Sequence, residues 1–159
     1  MSVERVTKFL QPLGYADRVK EFEVSSATVP LAALALGVAE ARIAKTLSFK
    51  IDEERTLLVV AAGDARIDNP LFKARFGMKA RMLSAEEVQK RTGYLPGGVC
   101  PFDLYEGVRL CLDESLKRFD TVYPAAGSAA SAVKLSPEEL HDITQGEWVK
   151  VCKLPNETE

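Results

Sequence analysis

Apolar residues recur at helical and strand-like spacings along the chain and predict an interleaved series of helices and strands. From Val3 to Leu13 the spacing is helical and ends before Gly14, which predicts a first helix over residues 2–13. Capping residues, prolines and terminal glycines predict further helices at 28–37, 69–77, 84–93 and from 136 onward. Alternating runs predict strands at 18–24, 43–51, 56–62, 79–83, 108–112, 121–123, 132–135 and 147–152.

The order of these elements distinguishes two sheet architectures. The charged turn 52–55 joins two strand-like runs as a hairpin, whereas helices separate several of the other predicted strands. A purely parallel, doubly wound sheet is built from crossovers and lacks such hairpins. The order therefore predicts an α/β (α+β) fold in which helices pack on a mixed β-sheet.

Length and composition favour one globular domain. The chain has 159 residues, of which 47% are hydrophobic and 28% charged, and no repeat or linker interrupts it. A chain of this length buries roughly 68–70% of its unfolded surface, which is enough for a core without disulfides or metals. We therefore expect a single domain over residues 1–153 and a frayed tail over 154–159.

Charge, cysteines and histidine exclude several function classes. The formal net charge of -2 argues against a protein that coats duplex DNA. Three widely spaced cysteines form no disulfide framework, and the longest uncharged stretch, 29–39, is far shorter than the roughly 20 residues that span a bilayer. Near the N-terminus, charged residues come before any apolar run, which is not the pattern of a secretory signal. We therefore expect a cytoplasmic protein with no membrane partner. Because His141 is the only histidine, a multi-histidine metal site is excluded, and we expect neither metal nor cofactor.

One lysine lies on an otherwise apolar strand face. The two-residue strand period places Lys45 on the same face as Ile43, Leu47 and Phe49. Such a lysine either packs its stem and extends its ammonium group to water, or places a cation at the floor of a pocket. In the second case it would contact a phosphate or a polarised carbonyl group.

The segment 92–102 contains three glycines and two prolines and predicts a shaped loop rather than regular structure. Glycines let a backbone approach a ligand and point successive N–H groups into a concavity, although an ordinary long connection has the same composition. The spacing matches neither a P-loop nor a dinucleotide fingerprint. Within the loop, Cys100 is either a small buried apolar residue, which the sequence favours, or a nucleophile.

Two further segments have both a structural and a functional interpretation. Residues 125–131 are small, so either a substrate lies against their backbone or the segment is simply flexible. Residues 73–91 form the basic region of the chain, which is either a solvated surface or a guide for a polyanion. Its cations include Lys73, Arg75, Lys79 and Arg81.

The segments 41–47, 92–94 and 97–102 together resemble the YbaK/EbsC family, which includes the editing domain of bacterial prolyl-tRNA synthetase and its free-standing relatives. The resemblance covers nearly the whole chain, including 28–37, 112–116, 125–127, 136–140 and 149–151. It implies a mixed, partly closed sheet flanked by helices, and the hydrolysis of misacylated tRNA, usually tRNA for proline. Asp103 departs from the family pattern, in which glycine often follows Pro-Phe. The departure affects the backbone geometry where the loop ends, and not the site itself.

The resemblance also implies the residues of the site. Lys45 matches a lysine that family members require, and residues 97–101 match their Gly-x-x-x-Pro loop. The expected catalytic residues are Lys45, Gly97, Gly98, Val99, Cys100 and Pro101. The expected substrate-binding residues are Phe22, Gly127 and Ser128.

The resemblance implies a tRNA partner, whereas the mechanism and the tRNA-binding residues are hypotheses from the site residues and the basic region. Loop amides from 98–100 would bind the developing oxyanion, so neither a side-chain nucleophile nor a metal is needed. The expected partner is the 3′ end of misacylated tRNA, with a synthetase as a second partner. The expected tRNA-binding residues are Lys73, Arg75, Lys79 and Arg81. The alternative is a non-catalytic module that uses the same pocket for an amino acid or a nucleotide, or that docks on a synthetase.

Overall fold

A central five-stranded sheet organises the fold of the computed structural model, which describes residues 2–25 and 27–155. The strands are β1 (Val19–Glu21), β2 (Ile43–Lys50), β3 (Thr56–Ala62), β4 (Arg66–Ile67), β5 (Val108–Asp113), β6 (Tyr123–Pro124), β7 (Ser131–Val133), β8 (Glu147–Val149) and β9 (Cys152–Lys153). The helices are α1 (Ser2–Leu10), α2 (Val29–Leu36), α3 (Asn69–Phe76), α4 (Ala85–Thr92) and α5 (Pro137–Thr144).

The central sheet is mixed, as the sequence predicts. Its strand order is β6-β2-β3-β5-β8, in which β2 and β3 form the antiparallel hairpin and every other neighbouring pair is parallel. Two antiparallel pairs, β1 with β7 and β4 with β9, complete the strands. Every residue of β3 is buried because this strand lies at the centre of the sheet, with helices and loops covering it.

Helix ends form where the sequence supplies capping groups. Thr28, Asp68, Ser84 and Ser136 each accept a backbone hydrogen bond in the first turn of the helix that follows. Ser84 and Ser136 belong to full capping boxes, as their spacing to the following glutamates predicts. The capping residues thus fix where α2, α3, α4 and α5 begin.

Several predicted boundaries were wrong, and local chemistry explains the clearest case. The first α-helix ends at Leu10 and continues as a 3-10 helix over Gln11–Leu13, because Pro12 has no N–H to donate to an α-helical carbonyl. Residues 79–83 form only an isolated bridge at Met82 instead of a strand. The predicted strand 147–152 is divided into β8 and β9, and 18–24 shortens to β1.

The C-terminal residues leave the sheet beside the core. Leu154 is partly buried and packs against the central core, whereas residues 156–159 of the predicted tail lie outside the described residues. Within the described part of the chain, no helix is long and apolar enough to cross a membrane.

Candidate active site

Lys45 lies in the middle of the hairpin and points its ammonium group at the turn that follows β3. It pairs with Ala61 in the β2–β3 register, and its Nζ donates to the carbonyls of Gly63, at 3.4 Å, and Ala65. Burial lowers the pKa of the ammonium, while nearby Asp64 opposes that shift. Two carbonyls occupy two of the three N–H donors, so one donor is left for a ligand.

The turn over residues 63–65, whose carbonyls accept from Lys45, is held in place by buried side chains. The Ser115 hydroxyl accepts a hydrogen bond from the Ala62 N–H at 3.1 Å, at the end of β3. The buried Asp113 carboxylate accepts from the N–H groups of Ser115 and Val151, each at 2.9 Å. Gly63 is required here, because an added Cβ would lie 2.0 Å from the Glu40 carbonyl oxygen. The carbonyl groups that receive Lys45 are therefore rigidly placed.

The glycine-rich loop is closed at its base by side chains from both ends and from α1. The Tyr94 hydroxyl donates to the Phe102 carbonyl at 2.6 Å. Arg5 forms an ion pair with Asp103 at 2.8 Å and lies over the Tyr94 ring, 4.2 Å from its centroid. Asp103 adopts a φ of 51°, a left-handed conformation that aspartate tolerates better than most residues. The departure from glycine at this position is thus accommodated, with Arg5 fixing the exit of the loop.

The tip of the loop contains one 3-10 turn, Pro96–Gly98, and packs against the small-residue segment 125–131. A Cβ on Gly98 would lie 2.7 Å from the Ser128 Cα and 2.8 Å from the Gly127 carbonyl, so only glycine permits this approach. The Ser131 hydroxyl accepts from the N–H groups of Ala126, at 3.1 Å, and Ser128, at 3.3 Å, which orders the segment. These contacts favour a shaped segment over a merely flexible one.

Lys45 and the loop tip line one small cavity of about 110 Å³. Its described lining residues are Ala27, Thr28, Val29, Ala32, Ile43, Ala44, Lys45, Thr46, Pro96, Gly97, Val99, Tyr123, Ala125, Ser131 and Ala132. Among these, Lys45 is the one charged residue. The arrangement joins a cation, a bend of backbone and apolar walls, which suits a small polar ligand with an apolar part.

The other expected site residues lie around this cavity without lining it. Gly98, within the loop tip, and Pro101 are buried, and Cys100 is fully buried, which raises the pKa of its thiol to about 11. Gly127 and Ser128 instead line a larger open cleft of about 730 Å³, together with residues of α1. Phe22 extends the β1–β7 pairing by donating its N–H to the Ala130 carbonyl at 2.8 Å.

The four basic residues expected to bind tRNA do not line the cavity. Lys73 and Lys79 line a separate surface cleft, and Arg81 is exposed. Arg75 forms an ion pair with Glu147, which Arg109 also contacts at 2.9 Å. All four side chains are thus exposed, and Arg75 is held in a surface ion pair.

Several residues that line the cavity are not indicated by any sequence pattern. Thr46 follows Lys45 on the strand, so alternation assigned it to the opposite face and gave no reason to select it. Tyr123 enters the cavity through parallel pairing of β6 with β2, a contact between residues 80 positions apart (Ile43 and Tyr123). Within the described ranges, no group of three or more His, Cys, Asp or Glu side chains is placed to hold a metal ion.

The fold has a close counterpart among solved structures. A protein described as a proposed trans-editing enzyme for prolyl-tRNA synthetase superimposes with a TM-score of 0.86 at 29% sequence identity, covering 96% of this chain and 97% of that one. The mixed sheet with flanking helices is therefore the editing-domain fold.

The sequence places the chain within the same class. The model of the aminoacyl-tRNA editing domain matches residues 23–143, and the chain belongs to this family. It is 49% identical over 154 residues to YwhH of Bacillus subtilis (strain 168), described as uncharacterized, covering 96% of this chain and 98% of YwhH. It is also 26% identical over 117 residues to EbsC of Enterococcus faecalis (strain ATCC 700802 / V583), a proposed Cys-tRNA(Pro)/Cys-tRNA(Cys) deacylase, covering 73% of this chain and 71% of EbsC. The resemblance to the YbaK/EbsC family is confirmed.

Proposed function

We propose that this protein is a trans-editing hydrolase that removes the amino acid from misacylated tRNA, with tRNA for proline as the preferred carrier. The observation that carries the proposal is that Lys45 and the loop residues Gly97 and Val99 line one cavity. A cytoplasmic location follows from this substrate, because charged tRNA is made and used there.

The reaction needs a water molecule, an oriented ester and stabilisation of negative charge. Water adds to the ester carbonyl, and the bond from that carbon to the terminal ribose oxygen then breaks. The products are the free amino acid and tRNA with its ribose hydroxyl restored. Because an ester is already more reactive than an amide, positioning and charge stabilisation supply most of the catalysis.

The side chains present divide these tasks between a cation and a backbone loop. Lys45 would use its remaining N–H to anchor the terminal phosphate or the aminoacyl carbonyl. The Gly98 N–H already donates to the Leu95 carbonyl at 2.8 Å, so the backbone N–H groups of Val99 and Cys100 would bind the developing oxyanion. The Cys100 thiol, buried and with its pKa raised to about 11, is poorly suited to act as a nucleophile. A ribose hydroxyl next to the ester would assist proton transfer.

Size assigns the two parts of the substrate to different places. A volume of about 110 Å³ is well below the roughly 300 Å³ at which pockets begin to enclose larger ligands, so the cavity takes the aminoacyl part alone. The terminal adenosine would lie in the open cleft of about 730 Å³ that Ser128 and Leu95 line. The cavity and the cleft lie next to each other, since a Cβ on Gly97, which lines the cavity, would lie 3.1 Å from the Cβ of Ala129, which lines the cleft.

The tRNA body would approach along exposed cations of residues 73–91. Lys79→Glu with Arg81→Glu should raise KM and reduce the salt slope of log kcat/KM by roughly one per lost phosphate contact. Lys150→Glu, at an exposed lysine outside this region, serves as the matched control. Arg75 is a poor choice for this test, because its loss also breaks the ion pair with Glu147. Unchanged salt slopes would place the tRNA on another surface.

The experiment for the proposed function is a deacylation panel. Transcripts of tRNA for proline and of two other tRNAs are charged with several small amino acids and incubated with the protein, with and without prolyl-tRNA synthetase. We expect release above the spontaneous rate, with tRNA for proline preferred and no requirement for added metal. The alternative, a binding module that occupies the same cavity, predicts tRNA or amino-acid binding without any release.

A further inference from the structure

Thr46 carries an unpaired hydroxyl group in the wall of the small cavity. Within residues 2–25 and 27–155, its Oγ1 is the one buried side-chain oxygen or nitrogen without a hydrogen-bond partner. Thr46 also lines the cavity, next to Lys45 on β2. Buried polar groups are almost always paired in folded proteins, because an unpaired one loses its hydration without compensation.

The surroundings give no internal reason for a threonine at this position. Valine has a similar shape and is equally suited to a strand, yet would avoid the unpaired hydroxyl. Two other polar side chains of the cavity have partners of their own: Lys45 donates to two carbonyls, and the Ser131 hydroxyl accepts from two N–H groups. The Thr46 hydroxyl is therefore available to whatever occupies the cavity.

We propose that Thr46 is a specificity-determining residue that selects aminoacyl groups with a short hydroxyl-bearing side chain, serine above all. This inference rests on the proposed function, and it adds the class of amino acid. The cavity volume of about 110 Å³ is well below the roughly 300 Å³ of the smallest pockets for drug-sized ligands, which favours a side chain of a few heavy atoms. Val29, Ala32 and Ile43 supply apolar walls, and among the lining side chains Thr46 carries a buried hydroxyl without a partner.

Serine and alanine differ by one side-chain hydroxyl, the group that Thr46 would recognise. A seryl hydroxyl pairs with Thr46, whereas an alanyl methyl group leaves the Thr46 hydroxyl buried and unpaired, and sites built around a hydrogen bond discriminate strongly against such analogues. A cysteinyl thiol falls between the two because S–H is a weak hydrogen-bonding group. The expected order of kcat/KM is seryl, then cysteinyl, then alanyl.

The test compares three enzymes on one tRNA transcript charged with serine, cysteine or alanine. Wild type, Thr46→Val and Thr46→Ser are assayed for kcat/KM, with the spontaneous rate of each ester subtracted. Thr46→Val should lower the seryl-to-alanyl ratio of kcat/KM by about tenfold or more, mainly through loss on the seryl substrate. Thr46→Ser keeps a hydroxyl and should retain the wild-type ratio within about threefold, which separates the hydrogen bond from shape.

A thermal melt provides the second readout. Because Thr46→Val removes an unpaired buried hydroxyl, its Tm should equal or exceed that of wild type, whereas a fall beyond roughly 3 °C would mean the hydroxyl has a partner within the protein. An unchanged seryl-to-alanyl ratio in Thr46→Val overturns the inference while leaving the deacylase intact. Absence of release from any charged tRNA by wild type overturns the proposed function and, with it, this assignment.

Discussion

Replacing Lys45 by methionine separates its role in the reaction from its role in the fold. Methionine keeps the length and apolar stem of lysine but has no ammonium group. The variant loses the hydrogen bonds to the carbonyls of Gly63 and Ala65 and the last free N–H that would face substrate. Both effects are specific to the charged end of one side chain.

The effect on stability should be small because two contributions oppose each other. Hydrogen bonds to a charged group contribute about 1.5–3 kcal/mol each, and their loss destabilises the fold. Removal of a partly buried ammonium, whose pKa burial lowers, relieves a desolvation cost in the opposite direction. We expect a net change within about 1 kcal/mol, which moves the Tm of a domain of this size by no more than about 4 °C.

The effect on activity should be much larger. A charge-assisted contact to the reacting group in a poorly solvated site is made most strongly in the transition state. Its loss should lower kcat/KM by about 10²-fold or more, equivalent to roughly 2.7 kcal/mol of barrier. The assay is single-turnover release of amino acid from the best substrate of the deacylation panel.

Lys50 provides a matched control on the same strand. Its ammonium pairs with Glu53 at 2.8 Å on the surface, and such pairs contribute about 0–1 kcal/mol, so Lys50→Met should change neither rate nor melting temperature appreciably. If Lys45→Met released amino acid as fast as wild type, the lysine would have a structural role only and the site would be misassigned.

Three further predictions concern pH, the cysteine and the loop. Burial lowers the Lys45 pKa below the ordinary value of 10.5, and the charged form is the active one. In a background-corrected pH profile, kcat/KM should therefore fall as pH rises through that pKa, and Lys45→Arg should shift the fall to higher pH. Cys100→Ser should keep kcat/KM within about tenfold, and rapid-quench sampling should trap no thioester, since an accumulating acyl-enzyme would make the thiol the nucleophile. Gly98→Ala places a methyl group 2.7 Å from the Ser128 Cα and should lower kcat/KM at least tenfold by displacing the loop tip, while an equally active variant would separate the loop from catalysis.

Much of the fold follows from local chemistry that a single sequence displays. The β2–β3 hairpin, the capping boxes at Ser84 and Ser136, and the glycine ends of α2 and α4 depend on residues within a few positions of each other. Prediction from the sequence fails where contacts between distant residues determine the secondary structure. Residues 79–83 alternate like a strand but pair with β2 only through Met82, so they form no ladder.

In the site, too, local patterns are visible in the sequence and contacts between distant residues are not. Lys45 in an apolar row and the glycine-rich loop are visible as local patterns, although the resemblance, and not the pattern, assigned them to one site. The Arg5 contact with Asp103 joins positions 98 residues apart, and no spacing rule connects them. The unpaired state of Thr46 is likewise a property of its three-dimensional surroundings, since a threonine in a strand is unremarkable in sequence.

Single-turnover kinetics measure whether the cavity shared by Lys45 and the loop tip catalyses ester hydrolysis. Wild-type protein in excess is mixed with misacylated tRNA for proline, and free amino acid is measured beside the binding of the same tRNA carrying a non-hydrolysable amide link. We expect release at least 10²-fold faster than the spontaneous rate. Lys45→Met should lose that acceleration while its binding of the amide-linked tRNA stays within about tenfold of wild type. Tight binding of the amide-linked tRNA together with ester cleavage at the spontaneous rate would contradict this expectation and identify a binding module.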